Sequence, residues 1–192
     1  MKGRILFSAA ALICLTLSGL SRAAPPGPLY ATPVYDPASK SYYELVLIET
    51  TRYSSRNSPD VKWETAQELA QASTFKGVHG RLAVVKDIGV HNFLQTTFKP
   101  RWDSWIGLRY LCLSRRLEYV DGTFWKSGMF AAWDKAWDHS GMSNCGGYSW
   151  GPKIDQYMGV AYSPPTLGFR WFAQGYPKQY YSYFVEFPTG KP

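Results

Sequence analysis

The sequence contains few of the residues that build metal sites and nucleophilic centres. It has three histidines and three cysteines in 192 residues, and the histidines are far apart along the chain. A zinc site needs three or four converging ligands, and no Ser-His-Asp order, phosphate-binding glycine loop or carboxylate pair at helical spacing is present. We therefore expect no catalytic residue, no metal and no cofactor. We expect His79 and His91 to be solvated or to cap helix ends.

Positive charge is not concentrated in any one segment, although the formal net charge is +7. Lysines and arginines are scattered along the chain, whereas nucleic-acid binding usually needs a concentrated basic face. Removing Lys2, Arg4 and Arg22 with an N-terminal signal would lower the net charge to +4. We therefore do not expect a nucleic acid as a partner.

Long apolar runs are absent beyond the N-terminus. Residues 5–20 form an almost uncharged apolar run, preceded by two basic residues and followed by small residues around Ala23. This pattern is typical of a signal peptide, and the run is shorter than the roughly 20 residues that a spanning helix needs. We predict cleavage after Ala23, which removes residues 1–23 together with Cys14. The mature protein is then expected to have no membrane span and to be secreted or periplasmic.

Proline is dense only near the predicted mature N-terminus, where five prolines fall between positions 25 and 37. Proline fixes φ and removes a backbone donor, so this composition excludes a helix and disfavours a central strand. Residues 24–38 are therefore expected to be a Pro-rich tether, or an edge segment packed against the domain. The globular domain is expected to cover residues 39–190.

The remaining chain contains segments typical of strands and segments whose apolar residues recur at helical spacing, which predicts an α+β domain. Residues 41–48 are rich in aromatic and β-branched residues, which favours a first strand. Trp63, Ala66 and Ala70 recur at helical spacing, and Asp87 is placed to cap a second helix. Further strands are expected at 82–85, 105–108, 117–120, 157–162 and 181–187.

Several of these segments resemble, in order, a C-type lectin-like domain of the bacterial kind. They are YYELV, the Trp-led helix with GRLAVV, SWIGLRY, LEYVDGTFW, FAAW and the closing YFVEF, from about Tyr42 to Phe187. The resemblance implies two helices packed on short antiparallel sheets with a long irregular loop, and a non-catalytic module that binds its ligand through that loop. It also implies core positions for four aromatic residues: Trp105, Trp125, Trp133 and Trp171.

The chain departs from the family pattern where family members bind calcium and sugar. The resemblance places the two calcium-binding triplets at residues 137–139 and 171–173, which here read Trp-Asp-His and Trp-Phe-Ala. Calcium takes six to eight oxygen ligands, several of them anionic, and most of these donors are missing. We therefore expect calcium-independent binding. A calcium site of other composition, around Asp134, Asp138 and Asp155, stays open.

The cysteines depart from the family pattern as well. The resemblance places the long-range family disulfide at Ala70 and Val185, so that bridge is absent. The mature chain keeps Cys112 and Cys145, which an exported protein is expected to join in a disulfide, the alternative being two buried thiols. Closing that loop would contribute roughly 3–4 kcal/mol. A free Cys145 thiol near His139 would instead leave a zinc or nucleophile role open.

The segment from about residue 127 to 154 has no sustained period and is rich in Gly, Trp and Asp. A loop of this length is uncommon in a compact domain unless it is functional. Aromatic faces beside amide and carboxylate groups suit a glycan or a protein ligand equally. The candidate ligand-binding residues are Trp137, Asp138, His139, Asn144, Tyr148 and Trp150. The alternative is a structural or assembly component of the cell envelope that acts through protein–protein contacts.

Overall fold

The structure is a computed structural model of the chain and describes residues 32–48, 61–135, 157–174 and 179–192. In these residues two α-helices and a short 3-10 helix (Pro165–Leu167) accompany an eight-stranded sheet and a two-stranded hairpin, so the α+β prediction is confirmed. No helix in the described ranges is long and apolar enough to cross a membrane. The predicted signal peptide lies outside the described residues.

The helices are α1 (Trp63–Ala72) and α2 (Ile88–Phe98). The strands are β1 (Val34–Asp36), β2 (Ser41–Leu47), β3 (Thr74–Phe75), β4 (Val78–His79), β5 (Arg81–Leu82), β6 (Ser104–Leu111), β7 (Arg116–Tyr119), β8 (Tyr157–Tyr162), β9 (Trp171–Gln174) and β10 (Ser182–Phe187).

The main sheet brings together strands that are far apart in sequence. Its continuous path is β1-β2-β10-β6-β8-β9, with β5 paired to β10 and β7 paired to β6. The pairing is antiparallel except between β10 and β6, where Ser182 lies opposite Ser104. The β6–β8 register shifts between Trp105 and Arg109, and in that interval the Gly107 N–H donates to the Ala83 carbonyl at 2.8 Å. Because β6 contacts β10, β7 and β8, it is the centre of the fold.

Helix α1 packs against this centre through its tryptophan. The Trp63 indole N–H donates to the Ile106 carbonyl at 2.9 Å. The ring lies so close to Gly159 of β8 that a Cβ there would come within 2.5 Å of it. Trp63, Ala66 and Ala70 are all buried, as their helical spacing predicts. The periodicity of this segment therefore identified the buried face of α1.

Helix α2 begins where its capping residue predicts. The Asp87 side chain accepts a hydrogen bond from the Val90 N–H at 2.9 Å, which satisfies one of the unpaired donors of the first turn. The helix ends at Lys99, whose φ of 46° is left-handed and whose N–H donates to the Gln95 carbonyl. Pro100 follows, so the helix cannot continue.

The domain begins earlier than residue 39. Strand β1 pairs with β2, and Asp36 accepts hydrogen bonds from the backbone N–H groups of Ala38 and Ser39, each at 3.2 Å. The end of the Pro-rich stretch is therefore an edge strand, which is the second of the two alternatives that its composition left open. Pro33 and Pro37 flank this strand, at positions where the sheet does not require a backbone N–H donor.

The positions of the missing family disulfide are buried and apolar. Ala70 on α1 and Val185 on β10 are 0% and 1% exposed and belong to the same hydrophobic cluster. A Cβ placed on Gly80 would lie 2.6 Å from the Ala70 carbonyl oxygen and 2.8 Å from the Val185 Cγ1, so both residues border the same small space. Apolar packing joins α1 to β10 at this point.

Candidate functional site

The six candidate ligand-binding residues lie outside the described residues. They are Trp137, Asp138, His139, Asn144, Tyr148 and Trp150. What the structure describes is the framework at both ends of the segment that contains them. That framework decides where the segment leaves the core and where it returns.

The N-terminal end of the segment is anchored to β9. The Asp134 N–H donates to the Trp171 carbonyl at 2.9 Å, and the Trp171 N–H donates to the Ala132 carbonyl at 2.7 Å. The rings of Trp133 and Trp171 meet edge to face, with centroids 5.5 Å apart. At the other end, Tyr157 opens β8, which pairs with β6. Residues 136–156 therefore connect two segments that are both fixed to the core.

The four tryptophans expected in the core lie there. Trp105 and Trp171 are at most 1% exposed, and Trp125 and Trp133 are partly buried against the same cluster. The Trp105 indole N–H donates to the Val61 carbonyl at 2.7 Å, and that of Trp125 donates to the Phe130 carbonyl at 3.0 Å. These rings therefore support the loop framework, Trp105 and Trp171 as fully buried side chains and Trp125 and Trp133 as half-buried ones.

Cys112 is half-buried and directly follows β6 in the chain. It is disulfide-bonded. Its predicted partner, Cys145, lies outside the described residues, so the Cys112–Cys145 pairing stays a prediction. A bridge from this position would tie the central strand to its partner segment.

His91 does not behave as a solvated or capping residue, and that prediction is wrong. Its side chain is buried, its Nδ1 lies 2.8 Å from the Tyr162 hydroxyl, and its ring contacts Phe130 and Phe169. Burial lowers the pKa of His91, and the nearby positive charge of Arg170 lowers it further. A signal was available in the sequence, because His91 lies at helical spacing with the buried Leu94 and Phe98. His79, by contrast, is exposed on β4, with its Nδ1 3.3 Å from the Gln71 carbonyl.

Glu186 is a buried charge with a structural role. Its carboxylate accepts hydrogen bonds from the Ser41 hydroxyl, the Arg81 guanidinium and the Val84 N–H, all at 3.0–3.1 Å. Burial alone would lower the pKa of Arg81, but the hydrogen bond and charge of Glu186 outweigh it and the pKa is raised. With its oxygens engaged by three segments of the chain, this carboxylate joins β2, β5 and β10.

The residues at one of the two expected calcium-binding triplets are described, and they are apolar. Strand β9 contains Trp171, Phe172 and Ala173; Ala173 is fully buried, and the Phe172 ring packs on Tyr180 at 5.8 Å. None of these side chains carries an oxygen. In the described part of the chain, no group of three His, Cys, Asp or Glu residues is placed to hold a metal ion.

An exposed aromatic pair is the feature that the sequence reasoning missed. Trp102 and Tyr181 are 54% and 39% exposed, and their ring centroids are 5.7 Å apart. They meet because β6 and β10 run parallel and begin side by side, with Ser104 opposite Ser182. The available signal was the polar flanks of Trp102, Arg101 and Asp103, which are unusual neighbours for a core tryptophan.

Comparison with known proteins rests on structure, because no family model and no curated protein matches the chain. Human lithostathine is 16% identical, with 91% of this chain and 97% of that chain covered and a TM-score of 0.50. The lectin CEL-I from Cucumaria echinata is 14% identical, covering 75% and 89%, with a TM-score of 0.48. The carbohydrate-recognition domain of the mouse scavenger receptor C-type lectin is 11% identical, covering 75% and 87%, with a TM-score of 0.47. The chain thus has a C-type lectin-like fold.

Proposed function

We propose that this chain is an exported, non-catalytic module that binds a ligand through residues 136–156, with a glycan as the first candidate. The observation that carries the proposal is the fold, in which the core fixes both ends of that segment through Asp134 and Tyr157. Loops held on a rigid scaffold are where binding residues concentrate. The segment supplies Trp137, Tyr148 and Trp150 as flat apolar faces, with Asp138 and Asn144 as hydrogen-bonding groups.

We further propose that binding does not need calcium. Strand β9 supports this, because Phe172 and Ala173 occupy the positions where the family supplies calcium ligands. Calcium at that place would lose about half of its side-chain oxygens and would lie against an apolar surface. The predicted Cys112–Cys145 bridge would then restrain the loop in place of the ion.

A non-catalytic role agrees with what the titratable residues do. The buried Glu186 is held by Arg81, and the buried His91 is held by Tyr162. Both side chains are buried, and among the described residues the Glu186 carboxylate and the His91 Nδ1 are already engaged by these partners. The burial and the hydrogen bonds of these two side chains are explained by their places in the core.

The test is a glycan array probed with the mature protein, residues 24–192, in calcium and in EDTA. We expect the same glycans to bind in both buffers and expect Trp137→Ala and Trp150→Ala to abolish binding. Trp102→Ala serves as the matched control, because Trp102 is exposed and lies outside the loop. Binding that required calcium, or that depended on Trp102 and not on Trp137, would contradict the proposal.

The second candidate function is assembly of the cell envelope through protein–protein contacts. The exposed Trp102–Tyr181 pair favours it, because aromatic residues are enriched where proteins dock. Deleting residues 24–31 removes most of the Pro-rich stretch and keeps β1. Loss of membership in an envelope complex with glycan binding intact would support assembly, whereas an unchanged complex would exclude a docking role for that stretch.

A further inference from the structure

A shallow groove opens on the surface formed by β7 and the segment that follows it. It has a volume of about 520 Å³. We call it the β7 groove. Its lining residues are Lys86, Arg116, Thr123, Phe124, Lys126 and Met129.

The β7 groove carries an excess of positive charge. Lys86 Nζ is paired with the Asp121 carboxylate at 2.6 Å, which neutralises one of its three cations. The nearby Glu118 is paired with Arg109 at 2.7 Å and is therefore also engaged. Within the described residues, the side chains of Arg116 and Lys126 have no carboxylate partner. Among the described residues, two cations of the groove are thus free to pair with an anionic group.

The Arg116 side chain is held in place before any ligand arrives. Its guanidinium carbon lies 3.6 Å from the centroid of the Phe124 ring, a short cation–π contact. Phe124 is itself fixed, because the residues on either side of it bond to β7: the Thr123 carbonyl accepts from the Tyr119 N–H at 2.8 Å, and the Trp125 N–H donates to the Leu117 carbonyl at 3.0 Å.

This arrangement suits an oxyanion that offers two oxygens to the guanidinium, such as a carboxylate or a sulfate. A guanidinium whose face rests on a ring still presents its N–H groups at the edge, where they match two oxygens of a carboxylate or sulfate. The Lys126 backbone N–H donates to the Met129 sulfur at 3.2 Å, and the Met129 N–H donates to the Lys126 carbonyl at 3.0 Å, so a tight turn holds Met129 beside Lys126. Phe124 and Met129 supply apolar surface between the two cations.

The size of the groove favours a small ligand over a protein surface. A volume of about 520 Å³ falls within the range of small-ligand sites, roughly 300–1,000 Å³. A specific protein partner would need roughly 800 Å² of contact on each side, far more than six residues provide. We propose that the β7 groove binds an acidic saccharide, with Arg116 and Lys126 contacting its carboxylate or sulfate groups.

This inference rests on the proposed function for the saccharide class of ligand, but its site is separate from residues 136–156. The test is calorimetric titration of the mature protein with a heparin-derived hexasaccharide, with maltohexaose as the neutral probe and hexaglutamate as the acidic peptide. We expect the acidic hexasaccharide to bind and the double variant R116Q/K126Q to weaken it at least about tenfold. That factor follows because one hydrogen bond to a charged group typically contributes more than a tenfold change in affinity.

The matched control is R101Q/K191Q, which removes the same charge from exposed positions outside the groove. It is expected to keep the affinity within about twofold, because screening at about 0.15 M salt limits distant surface charges. Equal losses in the two double variants would overturn the inference, since attraction would then depend on net charge alone. Groove-dependent binding of hexaglutamate without binding of the hexasaccharide would also overturn it, in favour of a peptide ligand.

The two proposals fail in different ways. If arrayed glycans bind through Trp137 while the double variant R116Q/K126Q keeps its affinity for the acidic hexasaccharide, only the groove inference is wrong. If no saccharide of any kind binds, the proposed function fails as well. Far-ultraviolet circular dichroism verifies that each variant is folded, so that a loss of affinity is not caused by unfolding.

Discussion

His91 Nδ1 and the Tyr162 hydroxyl lie 2.8 Å apart inside the core, joining α2 to the end of β8. Phe130 and Phe169 contact the same imidazole, so the ring is enclosed by aromatic side chains. Burial disfavours the charged form of both groups, which lowers the pKa of His91 and raises that of Tyr162. This pair is a neutral hydrogen bond close to the strand β9 that anchors residues 136–156.

Stability is expected to fall on mild acidification because of His91. Its pKa is below the ordinary value of 6.5 in the folded protein, so the unfolded state takes up the proton first. The contribution is therefore fully present above about pH 6.5 and is lost progressively as the pH falls below it. Urea unfolding between pH 7.5 and 5.5 measures this slope.

His91→Gln should flatten that pH dependence, because the amide can still bond the Tyr162 hydroxyl but does not titrate. His79→Gln, at an exposed position, is the control and should keep the slope of the natural protein. A slope that survived in His91→Gln would show that another group causes the acid sensitivity.

Replacement of Glu186 should be strongly destabilising. Glu186→Gln keeps the shape but turns an amide N–H₂ toward the Arg81 and Val84 donors, leaving buried groups unpaired. The expected loss is about 2–3 kcal/mol, below the full cost for a buried pair because Arg81 is partly exposed to solvent. Chemical denaturation at neutral pH gives the free energy of unfolding.

Glu118→Gln is the matched control for Glu186→Gln. Its partner Arg109 and the Glu118 side chain are both more exposed to solvent than Glu186, so the expected loss is about 1 kcal/mol or less. Equal losses for the two variants would mean that the Glu186 network does not stabilise the fold beyond an ordinary surface ion pair.

Two substitutions of Asp87 test the N-terminal cap of α2. Asp87→Ala removes the acceptor for the Val90 N–H and should lower stability by about 1 kcal/mol. Asp87→Asn keeps a side-chain oxygen at the same place and should cost much less. The midpoints of thermal unfolding compare the two; similar losses would indicate that charge, and not the capping hydrogen bond, is the stabilising feature.

Reductant and EDTA should act differently on the mature protein. A disulfide at Cys112 restrains the unfolded chain, so dithiothreitol is expected to lower the midpoint of thermal unfolding while EDTA leaves it unchanged. Cys145→Ser should reproduce the effect of reductant if Cys145 is the partner. A clear rise of the midpoint in calcium would contradict the calcium-free site.

The framework of the candidate site was only partly predictable from local signals. The spacing of Trp63, Ala66 and Ala70 identified α1, and Asp87 identified the start of α2, because both signals act within a few residues. Strand β9 was not predicted, since Trp171–Gln174 is short and gains its hydrogen bonds from distant segments, β8 on one side and residues 132–134 on the other. The β3–β4 hairpin was missed for the same reason: each of its strands has two residues.

The sequence by itself determined the α+β composition, the capped helix and the lack of side-chain oxygens at residues 171–173. These depend on residue type and on periods of two or 3.6, which are readable without contacts. Only the tertiary structure decided that His91 pairs with Tyr162, that Trp102 meets Tyr181 on the surface, and that Arg116 rests on Phe124. The first two relationships join segments that are far apart in sequence, and the third depends on how the segment after β7 folds back onto that strand.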